Sequence, residues 1–328
     1  MKRRAWLQAS LGLGCLVNLP SFSASRLSWQ TCTFNGLGTT LSIRAAHQDA
    51  ERLTAALQAA REVMAHIEDQ MSLFRSASAI NQLNRKGALI GPDPSLVRLL
   101  RMSRDISEKS HGAFDVTVQP LWALYAEMQK KGRLPTTDEI ASARQRIGWQ
   151  HMQINAKRIT LTKPGMGVTL NGIAQGYASD LVRKQLQGFG IAHALINTGE
   201  WSSLGQADHE RDWTLGIADA HHAGNLFARL RMKDWCVATS ADDQCKFSED
   251  RKHHHILDPA TGYSPRDISS VTIAAQSCTL ADALTKVLFV AGYERALRLA
   301  STWHVEALIV HKNGEWKASP AISRQLIL

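Results

Sequence analysis

Between residues 49 and 72, Leu53, Ala56, Leu57, Ala60, Val63, Met64, Ile67 and Met71 recur at three- and four-residue intervals, the spacing of a helix with one buried face. Two alternating segments, Trp29 to Phe34 and Thr39 to Arg44, come just before it, joined by Asn35-Gly36-Leu37-Gly38, a hairpin-type turn. A hairpin feeding a long amphipathic helix needs a sheet for that helix to cover, which points to an α+β chain.

The alternation continues along the sequence. Helices are predicted over about 95–110 and 137–147, and strands over 151–155, 158–162 and 166–170. The last of these leads through Asn171-Gly172 into a helix ending near Gly188-Phe189-Gly190. Strand patterns follow at His193 to Asn197, Trp213 to Ala218, Leu226 to Met232 and Trp235 to Ala238. The final third reads as a strand at 269–275, helices from Thr279 to Gly292 and Tyr293 to Thr302, and strands near 305–310 and 315–318. No linker, repeat or low-complexity block interrupts it, so residues 26–328 are expected to form a single compact domain of mixed sheets with helices.

A 44 % apolar content supplies a large core, yet no run of about 18 uncharged apolar residues exists, which excludes a multispanning membrane protein. The net charge of +9 falls to +6 once Lys2, Arg3 and Arg4 are set aside, and the remaining basic residues form no dense block. Anionic ligands are favoured by that excess and nucleic acid is not an expected partner. Lys2-Arg3-Arg4, an apolar stretch from Ala9 to Leu19 and small residues up to Ser25 make residues 1–25 an export signal, cut after Ser23 or Ser25. Arg3-Arg4 before Trp6-Leu7 resembles a twin-arginine signal. Cys15 follows Gly14, but Gly12 stands where a lipoprotein site needs Leu, so a periplasmic protein without a transmembrane span is expected. Cys32, Cys236, Cys245 and Cys278 remain, with no CxxC spacing; buried thiols are the default and a Cys236–Cys245 bridge is the alternative.

Phosphate-loop, dinucleotide, nucleophile-elbow and HExxH motifs are absent. Four polar clusters remain, each where a strand or loop meets a helix: Gly112-Ala113-Phe114-Asp115, Thr169 through Asp180, His254-His255 through Gly262, and Ala281-Asp282 through Lys286. Glycines at a helix start let backbone N–H groups approach an anion. Singly, each cluster has an ordinary reading as a turn or a helix cap.

In combination and in this order they resemble the ApbE family, the FAD:protein FMN transferases. Leu37-Gly38-Thr39 is similar to that family's Met-Gly-Thr turn, and Met71 through Phe74 with Ser78 through Asn84 to its Ser-x-Tyr and Leu-Asn segment. Gly112-Ala113-Phe114-Asp115, Thr117 and Pro120-Leu121 match a specific motif, as do Gly172-Ile173-Ala174 with Gly176-Tyr177 and Asp180. Asn197 through Glu200, Thr239-Ser240, His255 through Gly262 and Ala281-Asp282 complete the series. The resemblance implies an ApbE-like, T-fold-like domain that moves FMN from FAD onto a Thr or Ser hydroxyl of an exported acceptor protein, forming a phosphoester and releasing AMP. It also implies contacts to FAD from Leu37, Phe74, Ala113, Phe114, Asp115, Thr169, Gln175, Ile256 and Leu257. Mg²⁺ is implied on the Gly172 carbonyl and the Asp282 carboxylate, with His255 as the base; a structural loop histidine is the alternative for His255. An imidazole near its ordinary pKa of about 6.5 would suit that proton transfer.

Two departures bear on the chemistry. Thr169 and Gln175 stand where the family usually has Asp and Lys. Lys286 occupies the slot, one helical turn after Asp282, where the family places a hydroxyl ligand. An ammonium has donors and no lone pair, so it cannot ligate a cation, but it can pair with Asp282 or contact the pyrophosphate. Thr285 points about 100° away and is a poor replacement. The alternatives to transfer are therefore an FAD-binding carrier or assembly factor, and hydrolysis of FAD by the same site.

Overall fold

The computed structural model describes residues 27–208 and 211–327, so the expected export segment and Cys15 lie outside the described residues. The chain opens with strands β1 (Ser28–Gly36) and β2 (Thr39–His47). Leu37 and Gly38 both take positive φ, +50° and +79°, the backbone that lets a two-residue turn follow strand twist. Helix α1 (Ala50–Met71) follows, capped by the Asp49 carboxylate, and buries all the residues its spacing predicted except Val63, which is half-buried.

Then come α2 (Ala79–Lys86), β3 (Ala88–Ile90), α3 (Pro94–Lys109), α4 (Gln119–Lys130), α5 (Thr137–Arg144), β4 (Met152–Ile154) and β5 (Arg158–Leu161). The central segment is α6 (Ala174–Gly188), β6 (His193–Asn197), β7 (Trp201–Leu204), β8 (Trp213–Ala218), β9 (Leu226–Met232) and β10 (Cys236–Ala241). It closes with β11 (Ile268–Ala275), α7 (Cys278–Ala291), α8 (Tyr293–Thr302), β12 (Glu306–His311), β13 (Trp316–Ala318), α9 (Pro320–Gln325) and β14 (Leu326–Ile327). The α+β expectation holds.

Among the described residues the largest sheet runs β1-β2-β6-β7-β10-β11-β12-β13, with antiparallel neighbours throughout. Helices α1, α6 and α7 cover one face in a core that includes Leu53, Ile67, Val182 and Leu284. The small β14-β9-β8 sheet covers the other face, packing Trp213, Leu215 and Leu230 in one cluster with Val237 of β10. Strand β11 therefore lies between two layers, and seven of its eight residues are buried without alternation.

Two sequence expectations are corrected. Residues 166–170 are not a strand, because Asn84 takes both main-chain groups of Val168, at 2.7 and 2.8 Å, and Thr169 N–H donates to Val116 O. A side chain has replaced the ladder. The four cysteines are free, so the Cys236–Cys245 bridge does not form. Cys236 begins β10 and Cys245 lies beyond its other end, with the strand itself spanning roughly 17 Å at about 3.3 Å per residue. A disulfide needs Cα atoms within about 7 Å.

Candidate functional site

Three segments converge on a small cavity at the start of α6. The β1–β2 turn gives Leu37, the end of α1 gives Met71, Ser72 and Phe74, and the entry to α6 gives Asn171, Ala174 and Gln175, around a volume of about 160 Å³. Phe74 is held against the turn: a Cβ on Gly38 would stand 2.7 Å from the Phe74 ring, so only glycine admits this packing. The ring is nevertheless 67 % exposed. An exposed aromatic ring over a cavity presents a stacking surface.

Below this cavity α6 and α7 meet closely. A Cβ on Gly176 would fall 2.3 Å from the Cys278 carbonyl oxygen, so the glycine lets the two helices touch. Gly176 N–H donates to Asp282 Oδ2 at 3.1 Å. Asp180 caps α7 from the side of α6, accepting from Cys278 N–H and Thr279 N–H at 2.8 and 3.0 Å and from the Ser277 and Thr279 hydroxyls. The register of α7 on α6, and hence the position of Asp282, is set by these contacts.

Lys286 reaches back one turn, placing Nζ 2.5 Å from Asp282 Oδ1 and 3.1 Å from Asp282 O. Its stem lies against the α6 entry, where a Cβ on Gly172 would be 3.1 Å from Lys286 Cε. Thr285 turns the other way, donating to Asp282 O and sharing a hydrogen bond of 2.7 Å with Ser240. Glu200, buried at the entry to β7, accepts from Thr239 N–H at 3.1 Å, and burial first, then Asp282, raises its carboxyl pKa well above the usual range.

His255 enters from the loop after β10. Its Nδ1 lies 3.2 Å from the Cys245 carbonyl, so Nδ1–H donates there and Nε2 keeps its lone pair. Burial, and secondarily the Lys286 charge, push its pKa down to about 4, displacing the ordinary value the sequence reading assigned. The imidazole is neutral at pH 7.

The remaining expected ligand residues are placed differently. Asp115 is buried with Oδ1 accepting from Thr117 N–H and Oγ1–H and Oδ2 from Trp149 N–H, so its carboxylate holds its own loop. Burial raises its pKa. Phe114 and Ile256 sit in the main core and Leu257 in a separate apolar cluster, and Phe114 N–H donates to Ser110 Oγ at 3.2 Å. The Thr169 hydroxyl accepts from Asn171 N–H at 3.3 Å. Ala113 lines a separate groove of about 1220 Å³ between α3 and the α7–α8 pair. Glu200 was absent from the expected site; a carboxylate between two apolar strand patterns was the available signal.

Mg²⁺ does not fit the donor set. The Lys286 ammonium on Asp282 Oδ1 puts a positive charge where a cation would bind, the lysine in the hydroxyl slot offers no lone pair, and Thr285 is turned to Asp282 O and Ser240. Among the described residues, no group of three His, Cys, Asp or Glu side chains forms a metal cluster, and no helix is long and apolar enough to cross a membrane.

Known proteins resemble this chain in sequence and in fold. A relative from Treponema pallidum described as FAD:protein FMN transferase is 28 % identical over 309 residues, spanning 87 % of this chain and 85 % of its own length. One from Vibrio cholerae with the same description is 26 % identical over 292 residues, covering 85 % and 86 %. The crystal structure of the ApbE protein from Thermotoga maritima superposes with a TM-score of 0.83 at 27 % identity, covering 91 % of this chain and all but 1 % of that one, whose coverage is 99 %. The Vibrio cholerae flavin transferase ApbE shares the fold, with a TM-score of 0.78 at 24 % identity and coverage of 92 % and 100 %. The sequence model of the ApbE family matches residues 37–309, from the turn beside Phe74 to the last long strand of the main sheet, and the chain belongs to that family.

Proposed function

We propose that this protein is an FAD:protein FMN transferase acting on exported proteins in the periplasm. The observation that carries the reading is His255: a neutral imidazole whose Nδ1 is held by the Cys245 carbonyl, within the field of the Lys286 ammonium. Phe74 and the cavity next to Leu37 and Gln175 receive the flavin part of FAD, and the pyrophosphate lies toward the N-terminus of α6. An acceptor Thr or Ser oxygen attacks the FMN phosphorus and its proton passes to His255 Nε2. The P–O bond to AMP breaks, AMP leaves with the bridging oxygen and its electron pair, and the acceptor keeps FMN as a phosphoester. Alignment and charge stabilisation are the chain's contribution, because phosphoryl transfer asks little covalent chemistry of the protein.

Chromatography of a reaction containing FAD and an acceptor domain tests this directly. Transfer predicts one AMP released per flavin bound to the acceptor. AMP with free FMN and an unmodified acceptor would identify hydrolysis, and intact FAD throughout would identify a carrier.

A further inference from the structure

Resting on that reading, we infer that the Lys286 ammonium is the resident cation of the pyrophosphate site, standing where a divalent ion would sit between the α6 entry and Asp282. Three independent placements support it. Nζ is fixed on two oxygens of one residue, Asp282 Oδ1 at 2.5 Å and Asp282 O at 3.1 Å, which gives a flexible side chain a single position. Its stem packs on Gly172, so the charge lies at the entry to α6. The Lys286 side chain is still 20 % exposed while that of Asp282 is 1 % exposed, so a ligand arriving at the helix start meets the lysine before the carboxylate.

Asp282 in this chain is therefore a positioning residue for a lysine. Its other oxygen is fixed by Gly176 N–H, 3.1 Å away, so the carboxylate orients Lys286 from a rigid helix contact. As the P–O bond to AMP breaks, the ammonium meets the charge that develops on the leaving phosphate, and no exchangeable ion is required for that.

Lys286→Thr recreates a hydroxyl one turn from Asp282 and vacates the space of the ammonium. Titration with Mn²⁺, followed by electron paramagnetic resonance in the presence of FAD, separates the cases without relying on turnover. The wild-type protein is expected to leave Mn²⁺ free, and Lys286→Thr, or Lys286→Ser if the threonine variant folds poorly, to bind one ion per chain. Stoichiometric Mn²⁺ on the wild type would overturn the inference, and so would failure of both variants to bind Mn²⁺ while still binding FAD. In a parallel assay the wild type should transfer FMN equally with excess chelator or Mg²⁺, within about twofold, whereas Lys286→Thr should lose at least tenfold in chelator. An acceptor left unmodified in every condition would count against the transferase reading, and the Mn²⁺ titration would still decide the role of Lys286.

Discussion

Lys286 Nζ and Asp282 Oδ1, 2.5 Å apart on one turn of α7, form an ion pair whose carboxylate is 1 % exposed. Removing one member of such a pair leaves a desolvated charge without its partner. Asp282→Ala is expected to destabilise the fold by roughly 1–3 kcal/mol, less than for a fully enclosed pair because the lysine reaches solvent. Adding Lys286→Met to that variant should recover much of the loss. Urea unfolding of the two single variants and the double variant checks the coupling, and strictly additive losses would contradict it.

Phe74 should matter to ligand and not to folding. With the ring 67 % exposed, Phe74→Ala is expected to leave stability within about 0.5 kcal/mol. Losing a stacking partner worth about 0.5–1.5 kcal/mol should weaken FAD binding roughly threefold to tenfold. Quenching of flavin fluorescence on titration measures this, and Phe74→Trp should restore affinity.

Gly176 is where α6 touches α7. Gly176→Ala places a methyl 2.3 Å from the Cys278 carbonyl and 2.8 Å from Asp282 Cβ, both parts of a packed helix that cannot yield cheaply. A loss of about 1–3 kcal/mol in urea unfolding is expected, with weaker FAD binding as Asp282 and Lys286 move. Unchanged stability would mean that the helices separate freely.

The buried imidazoles govern acid behaviour. Burial holds His254 at about 3, and burial with the Lys286 charge holds His255 at about 4, against about 6.5 in the unfolded chain. Below pH 6.5 the unfolded state therefore binds more protons, and the stability these two residues carry falls as pH drops toward 3. Glu200 and Asp115, whose pKa values are raised, act in the opposite sense. His255→Asn should flatten the dependence of the urea midpoint on pH between about 6 and 4, and an identical slope would count against the neutral imidazole. For the same reason the transfer rate should show no step at pH 6.5.

Local rules carried much of this structure. The period of α1 and the Leu37-Gly38 turn are written in neighbouring residues, and so is the Asp282–Lys286 pair, because four residues on a helix make one contact. What depends on distant chain segments was not legible. Residues 166–170 have a strand pattern, yet Asn84, more than 80 positions earlier, takes the hydrogen bonds a ladder would use. The spacing predicts no helix over 119–130, where α4 begins with Pro120 in its first turn, a position that suits proline. Glu200 joins the site because it accepts from Thr239 of β10, a strand packed on α7, and the depressed pKa of His255 depends on burial that no spacing reveals.

The most direct test is flavin fluorescence on a denaturing gel, after incubating the mature protein with FAD and an acceptor domain that another transferase can modify, with chelator or with Mg²⁺. The structure predicts a fluorescent acceptor band in both lanes, of equal intensity within about twofold, and its loss in Lys286→Met, whose aliphatic chain keeps the packing and removes the charge. A dark acceptor in both lanes, with FAD bound saturably, would contradict the assignment of this site to FMN transfer.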